Sequence, residues 1–203
     1  MSQPASRPAF TFDDYLQWEN QQVQRHEFMR GEVFAMTGAT DRHNEISGNF
    51  YMMLRQHLRG TPCRAYMADV KLRVEAADCS FYPDLQVTCA ERDHADRYVK
   101  RSPVLVVEVL SNRTAAFDLG DKFTAYRQLD SLREYVAVDQ EHVHVLIYRL
   151  QDGQWRVDSV GPGERLRLDS IDLDCPVEAL YEDLSEPLAA ESSIPEGRIS
   201  PPR

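Results

Sequence analysis

Tyr82-Pro83-Asp84, the run Pro103-Val104-Leu105-Val106-Val107-Glu108-Val109-Leu110, and Asp118-Leu119-Gly120-Asp121-Lys122 are the segments from which the fold is read. The middle run has the length and β-branched content of a strand, and its proline sits at the first position, where a strand tolerates one. Alternation puts Val104, Val106, Glu108 and Leu110 on one face and Leu105, Val107 and Val109 on the other. Both faces are apolar, as in a strand covered on both sides. Glu108 breaks the pattern. An ionised carboxylate in such a strand is costly unless a metal ion or a lysine compensates it.

Outward from that strand lie two further misplaced charges. Asp84 belongs to Phe81-Tyr82-Pro83-Asp84-Leu85-Gln86-Val87-Thr88, a second strand-like run. There Pro83 limits pairing, so Asp84 is expected where the ladder begins or opens. Leu119, Lys122, Phe123 and Tyr126 follow i, i+3, i+4, i+7 spacing, so Lys122 leaves a helix on its apolar stripe. A lysine there needs an anion to meet. Asp84 as a turn residue, and Asp118 with Lys122 as an i, i+4 surface pair, are the structural alternatives. One Asp, one Glu and one Lys out of pattern are better explained together.

Pro83-Asp84 followed by a hydrophobic strand carrying Glu108 resembles the PD-(D/E)XK nuclease superfamily. The strict motif would put lysine at position 110, where this chain has Leu110. The longer order of blocks resembles the Uma-two family of restriction-endonuclease-like proteins. Those blocks are Gly31-Glu32-Val33, His43, Asp69-Val70-Lys71-Leu72, Pro83-Asp84, Glu108-Val109-Leu110-Ser111, Asp118 to Lys122, and Glu134-Tyr135-Val136-Ala137-Val138-Asp139. The resemblance implies an α/β (α+β) restriction-endonuclease-like core, a central mixed β-sheet flanked by helices, over residues 10 to 184. It also implies that the lysine role moves to the helix after the Glu108 strand, onto Lys122. Glu45, or Glu32 on the strand before it, would supply an accessory acid. Their other readings are a helix N-terminal complement for Glu45 and a solvated strand position for Glu32. His43 is either a phosphate-binding or carboxylate-orienting residue or a hydrogen-bonded structural histidine.

The chain has 203 residues, and the length and ordinary composition bound it to one domain with a full core. No apolar run is long enough for a transmembrane helix, and Met1 to Pro8 lacks a signal pattern. Cys63, Cys79, Cys89 and Cys175 form no CxxC pair, so reduced thiols in a cytoplasmic protein are expected, without a zinc site. The net charge of −10 argues against coating of nucleic acid by bulk electrostatics but leaves room for a local basic lip.

In chain order, residues 1–9 read as a flexible leader. Thr11 and Asp14 form a capping-box start for a short helix to about Asn20, and Gly31 to Met36 reads as a strand. Thr40 or Asp41 caps a longer helix with Ile46, Phe50, Met53, Leu54 and Leu58 as its stripe, stopped by Gly60 and Pro62. Cys63 to Val74 reads as one strand. Its charged face (Asp69, Lys71, Arg73) is either solvated or a wall of the site with Lys71 as reserve lysine. A turn over Glu75 to Ser80 leads back toward Asp84. Glu91 to Ser102 is the most basic stretch, and Arg92, Arg97, Lys100 and Arg101 form either a solvated connection or a phosphate-contacting lip. Leu132 to Asp139 and His142 to Leu150 read as strands, with His142 and His144 pointing the same way. Gln151-Asp152-Gly153 is a turn before a strand over Gln154 to Val160, and Pro176 to Leu184 suits a closing helix. Residues 185–203 are expected to be a disordered tail.

The reaction implied is metal-dependent hydrolysis of DNA. Asp84, Glu108 and the carbonyl of Val109 would hold Mg2+ or Mn2+, with Lys122 stabilising developing charge. A homodimer acting on duplex DNA follows from the resemblance. Two alternatives remain open: a non-catalytic nucleic-acid-binding or regulatory module, and a hydrolase of another phosphorylated substrate.

Overall fold

The structure is a computed structural model that describes residues 10–36 and 38–184. The expected leader and tail lie outside the described residues. The chain opens with α1 (Phe12–Glu19), capped by the reciprocal Thr11–Asp14 box that the sequence predicts. A hairpin of β1 (His26–Met29) and β2 (Glu32–Ala35) follows, joined through Arg30 (φ 51°) and Gly31 (φ 87°). Two central residues of positive φ are what a tight two-residue hairpin requires. The strand expected over Gly31 to Met36 is therefore one arm of a hairpin. Its other arm, with Glu27 in it, was not legible.

The long helix α2 (Asp41–His57) starts at Thr40, whose hydroxyl accepts from the His43 backbone N–H. It buries Ile46, Phe50 and Leu54. Next come β3 (Arg64–Met67), β4 (Lys71–Val74), β5 (Cys79–Phe81) and β6 (Leu85–Thr88). Two single-strand readings are corrected here. Cys63 to Val74 divides at Ala68 (φ 31°), and Phe81 to Thr88 divides at Tyr82-Pro83-Asp84. At each break the chain passes from one sheet to the other.

The basic stretch contains α3 (Glu91–Ala95) and β7 (Val99–Lys100), and leads into β8 (Pro103–Leu110). The helix after β8 consists of α4 (Ala115–Phe117), a π-helical turn (Asp118–Lys122) and α5 (Phe123–Tyr126). Strands β9 (Glu134–Asp139), β10 (Val145–Gln151) and β11 (Gln154–Val160) form a meander, with Asp152-Gly153 as its second turn. A hairpin of β12 (Arg165–Leu168) and β13 (Leu173–Pro176) and a 3-10 turn (Val177–Leu180) end the described chain. The closing helix is thus shorter than expected and of the tighter kind.

Among the described residues the strands make a six-stranded mixed sheet, β11-β10-β9-β8-β6-β3, a five-stranded sheet, β2-β1-β5-β4-β7, and the β12-β13 pair. The β8–β9 pair is parallel, while β6 runs antiparallel on the other side of β8. Leu105, Val107 and Val109 pack with Ile46, Phe50 and Leu54 of α2 and with Leu166, Leu168 and Val177 of the C-terminal segment. Val106 packs on the opposite face with Leu72, Phe81, Tyr126 and Tyr135. The central strand is covered on both sides, as its alternation indicates.

Cys63 and Cys89 form a disulfide, S–S 2.03 Å. They flank the cross-strand pair Arg64↔Thr88 of β3 and β6, so register sets them side by side. The reduced-thiol expectation is overturned for this pair, and with it the cysteine argument for a cytoplasmic location. Cys79 and Cys175 are free thiols. No helix of the described residues is long and apolar enough to cross a membrane.

Candidate active site

The site forms where β8 outruns its neighbour. The last β6–β8 pair is Leu85↔Val107, so Glu108, Val109 and Leu110 continue along an edge that β6 no longer covers. Asp84, set by Pro83 at the start of β6, fills that opening. Its Oδ2 accepts the Val109 backbone N–H at 2.7 Å, and its own N–H lies 3.4 Å from Glu108 Oε2. In an extended strand a residue's N–H and C=O leave on the same edge. The Val109 carbonyl therefore faces the side where Asp84 sits.

The other Asp84 oxygen, Oδ1, is 3.0 Å from Nε2 of His43 in the first turn of α2. Burial lowers the basicity of His43, but the hydrogen bond and charge of Asp84 outweigh it, so its pKa lies above the ordinary histidine value. His43 orients the carboxylate from the helix side.

Glu108 and Lys122 form the buried half of the site. Lys122 Nζ lies 3.0 Å from Glu27 Oε1, 3.2 Å from Asp118 Oδ1 and 3.3 Å from Glu108 Oε1. Tyr126 Oη donates to the same Glu108 oxygen at 2.9 Å. The Tyr135 hydroxyl donates to the Asp118 carbonyl at 2.9 Å, which fixes the π-helical turn. Burial pushes the Glu108 and Glu27 carboxyls above their usual range. Burial also works against the Lys122 ammonium, yet Glu108, Glu27 and Asp118 together hold it well above the ordinary lysine value. Lys122 is thus favoured as its ammonium form. The carboxyl groups of Glu27, Glu108 and Asp118, with Asp84 beside them, outnumber it.

That imbalance and the donor chemistry bear on metal binding. Among the described residues, no three His, Cys, Asp or Glu side chains are grouped to hold an ion by themselves. Asp84, Glu108 and the Val109 carbonyl instead offer hard oxygens on one open edge. Two carboxylates with retained waters is the mode in which Mg2+ is usually bound. The residues fit a hard divalent cation better than zinc, since no thiolate joins them.

The structure brings Asp84, Glu108, Val109, Lys122 and His43 together. Glu32, Lys71 and the arginines and lysine of the basic stretch have other surroundings. Glu32 is exposed on the edge strand β2, and Glu45 is half-buried one turn into α2, past the first turn, where Asp41 is the acid. Lys71 is buried against the Tyr82 ring, 5.1 Å from its centroid, and burial lowers its pKa. Arg73 is buried too, with its guanidinium 4.1 Å from the Phe12 ring centre, so of that face only Asp69 is exposed. In the basic stretch, Lys100 is buried and donates to the carbonyls of Asp93 and Asp96. Arg92 bonds Ser102, Arg101 pairs with Asp96 and Glu75, and Arg97 is exposed. A free lip of four cations is not what this segment forms. His142 and His144 do not converge, since the first lies near Asp139 and the second meets Ser159.

Sequence reasoning missed Glu27 and the role of Tyr126. Behind Glu27 lies a second buried group. Tyr82 gives its backbone N–H to Glu27, at 3.4 Å, and its hydroxyl to Glu19, at 2.9 Å. The i, i+4, i+8 spacing of Asp118, Lys122 and Tyr126 could have signalled one polar seam. Glu27 sits in a four-residue strand, too short for any periodic signal.

Residues 12–178 match the Uma2 family, described as "Putative restriction endonuclease". The chain is 34% identical over 185 residues to the uncharacterized protein slr1290 of Synechocystis sp. (strain ATCC 27184 / PCC 6803 / Kazusa), covering 91% of this chain and 97% of that one. It is 32% identical over 154 residues to the uncharacterized protein sll1609 of the same organism, covering 74% and 87%. A crystal structure from Anabaena variabilis ATCC 29413, described as "a putative nuclease belonging to DUF820", superimposes with a TM-score of 0.71 at 15% identity. That alignment covers 84% of this chain and 97% of the other, and it shows the shared fold.

Proposed function

The chain belongs to the Uma2 family, and we propose that it is a divalent-metal-dependent endonuclease hydrolysing DNA phosphodiester bonds. The observation that carries this reading is the pairing of Asp84 with Glu108 at the open edge of β8. The two acids are tied through the Asp84 N–H, 3.4 Å from Glu108 Oε2. Asp84, Glu108 and the Val109 carbonyl would hold the ion, Mg2+ or Mn2+. Bound there, it supplies charge at the scissile phosphate and a water of lowered pKa. Lys122 keeps a fixed positive charge beside Glu108, able to offset negative charge that develops at phosphorus. His43 holds Asp84 in its rotamer, and Tyr126 does the same for Glu108. A homodimer, with one such site for each strand of a duplex, is part of the proposal.

One observation supports a second reading. Three carboxylates already grip the Lys122 ammonium within 3.3 Å, as an internal cation would be gripped. On that reading the chain binds DNA without cutting it. Incubation of supercoiled plasmid with Mg2+ or Mn2+ separates the two. The nuclease reading expects nicking by the wild type and loss of at least a hundredfold in Asp84→Asn, with Asp84→Asn still folded. Binding without nicking in either metal would favour the second reading and overturn the first.

A further inference from the structure

A cleft of about 690 Å3 lies between the C-terminal half of α2 and the edge strand β3, on a flank remote from the acids. Tyr51, Arg55 and Arg59 come from α2 and the residues after it, and Arg64 comes from the start of β3. Positions 51, 55 and 59 are four apart, so they form one row along the helix side. All three arginines are exposed. No ion pair joins any of them to a carboxylate among the described residues. The cleft has no Asp or Glu in its lining. In a chain with 33 acidic against 23 basic residues, a concave surface with three arginines and no acid is a local reversal of sign. Such a surface selects a polyanion.

We infer that this cleft is a second, backbone-tracking contact for the DNA, with Arg55, Arg59 and Arg64 on its phosphates. The inference rests on the proposed nuclease reading and adds where the substrate runs. His43, which touches Asp84, and Arg55 are twelve residues apart on one helix, hence about 18 Å along its axis. Phosphates on one strand repeat about every 3.4 Å, so the stretch from His43 to Arg55 spans about five of them. One helix thus links the cleavage position at its N-terminus to phosphate contacts at its C-terminal end. Side-chain guanidinium groups suit that task because they fork onto phosphate oxygens. The contact carries no base readout, so it gives affinity and register without sequence preference.

The test is the salt dependence of binding to a fluorescent duplex, in metal-free buffer and again with Ca2+. Wild type is compared with an Arg55→Gln/Arg59→Gln/Arg64→Gln variant and with its Arg→Lys counterpart. The glutamine variant is expected to lower the log–log salt slope by about 2 to 3 and to weaken binding on the order of tenfold. The lysine variant, which keeps the charges, is expected to retain the slope. Unchanged thermal midpoints confirm folding, since all three positions are exposed. A glutamine variant with wild-type slope, or a lysine variant that loses it, would overturn the inference while leaving the nuclease reading intact. No DNA binding by wild type in either buffer would overturn both.

Discussion

Lys122 and Glu108, fourteen residues apart in the chain, meet at 3.3 Å between Nζ and Oε1 in a space almost closed to solvent. The strand supplies an acid that its apolar neighbours cannot compensate, and the following helix supplies the cation. Lys122→Met should leave Glu27, Glu108 and Asp118 facing one another without a counter-charge. Removing one partner of a buried pair costs about 3–5 kcal/mol. Urea denaturation should show that loss, and Lys122→Met/Glu27→Gln should recover part of it. A Lys122→Met protein as stable as wild type would mean the ammonium is not what balances the acids.

Tyr126 holds Glu108 by its hydroxyl. Tyr126→Phe keeps the ring in the second core and leaves a buried carboxylate oxygen with one donor fewer. It should lose about 1–3 kcal/mol of stability. Plasmid nicking should fall while DNA binding stays at the wild-type level, because the change touches Glu108 and no phosphate contact.

Much of this was legible in the chain. Glu108 in an apolar run of both-face alternation, Lys122 on an apolar helical stripe, and Asp84 after a proline each violated a local rule, and the three violations converge in space. That pairing falters at Pro83 was legible because proline has no N–H for the ladder, but the change of sheet there was not. The break at Ala68 was not, because alanine carries no mark of the left-handed φ it adopts here. Glu27 was hidden by the brevity of β1. Lys71 and Arg73 looked like a wet face because charge alternates with Leu72 and Val74. In the structure their cations lie on the rings of Tyr82 and Phe12, where aromatic faces replace water.

Lys71 gives a pH prediction. Burial lowers its pKa below the ordinary 10.5. Between the folded value and 10.5, the unfolded chain holds a proton that the folded chain has released, so stability rises with pH across that window. Lys71→Met removes the contribution. Denaturation of both proteins from pH 7 to 10.5 should show the wild type gaining stability relative to the variant as pH rises. A difference that stays flat or runs the other way would refute the buried, proton-shedding Lys71.

The cross-strand disulfide closes a separation of 26 residues, for which loss of unfolded-chain entropy amounts to about 3–4 kcal/mol. Cys63→Ser/Cys89→Ser should lower stability by about that much in urea, and reductant should affect the wild type but not the variant. The candidate active site lies at the other end of β6, so nicking by the folded double variant should persist.

Asp84 and Glu108 would jointly hold a divalent cation. Calorimetric titration of Mn2+ into wild type, Asp84→Asn and Glu108→Gln reads this directly and requires no choice of substrate. Saturable binding by the wild type that both folded variants lose is the expected result. Binding retained by both variants at wild-type affinity, or no binding by wild type with or without DNA, would contradict it.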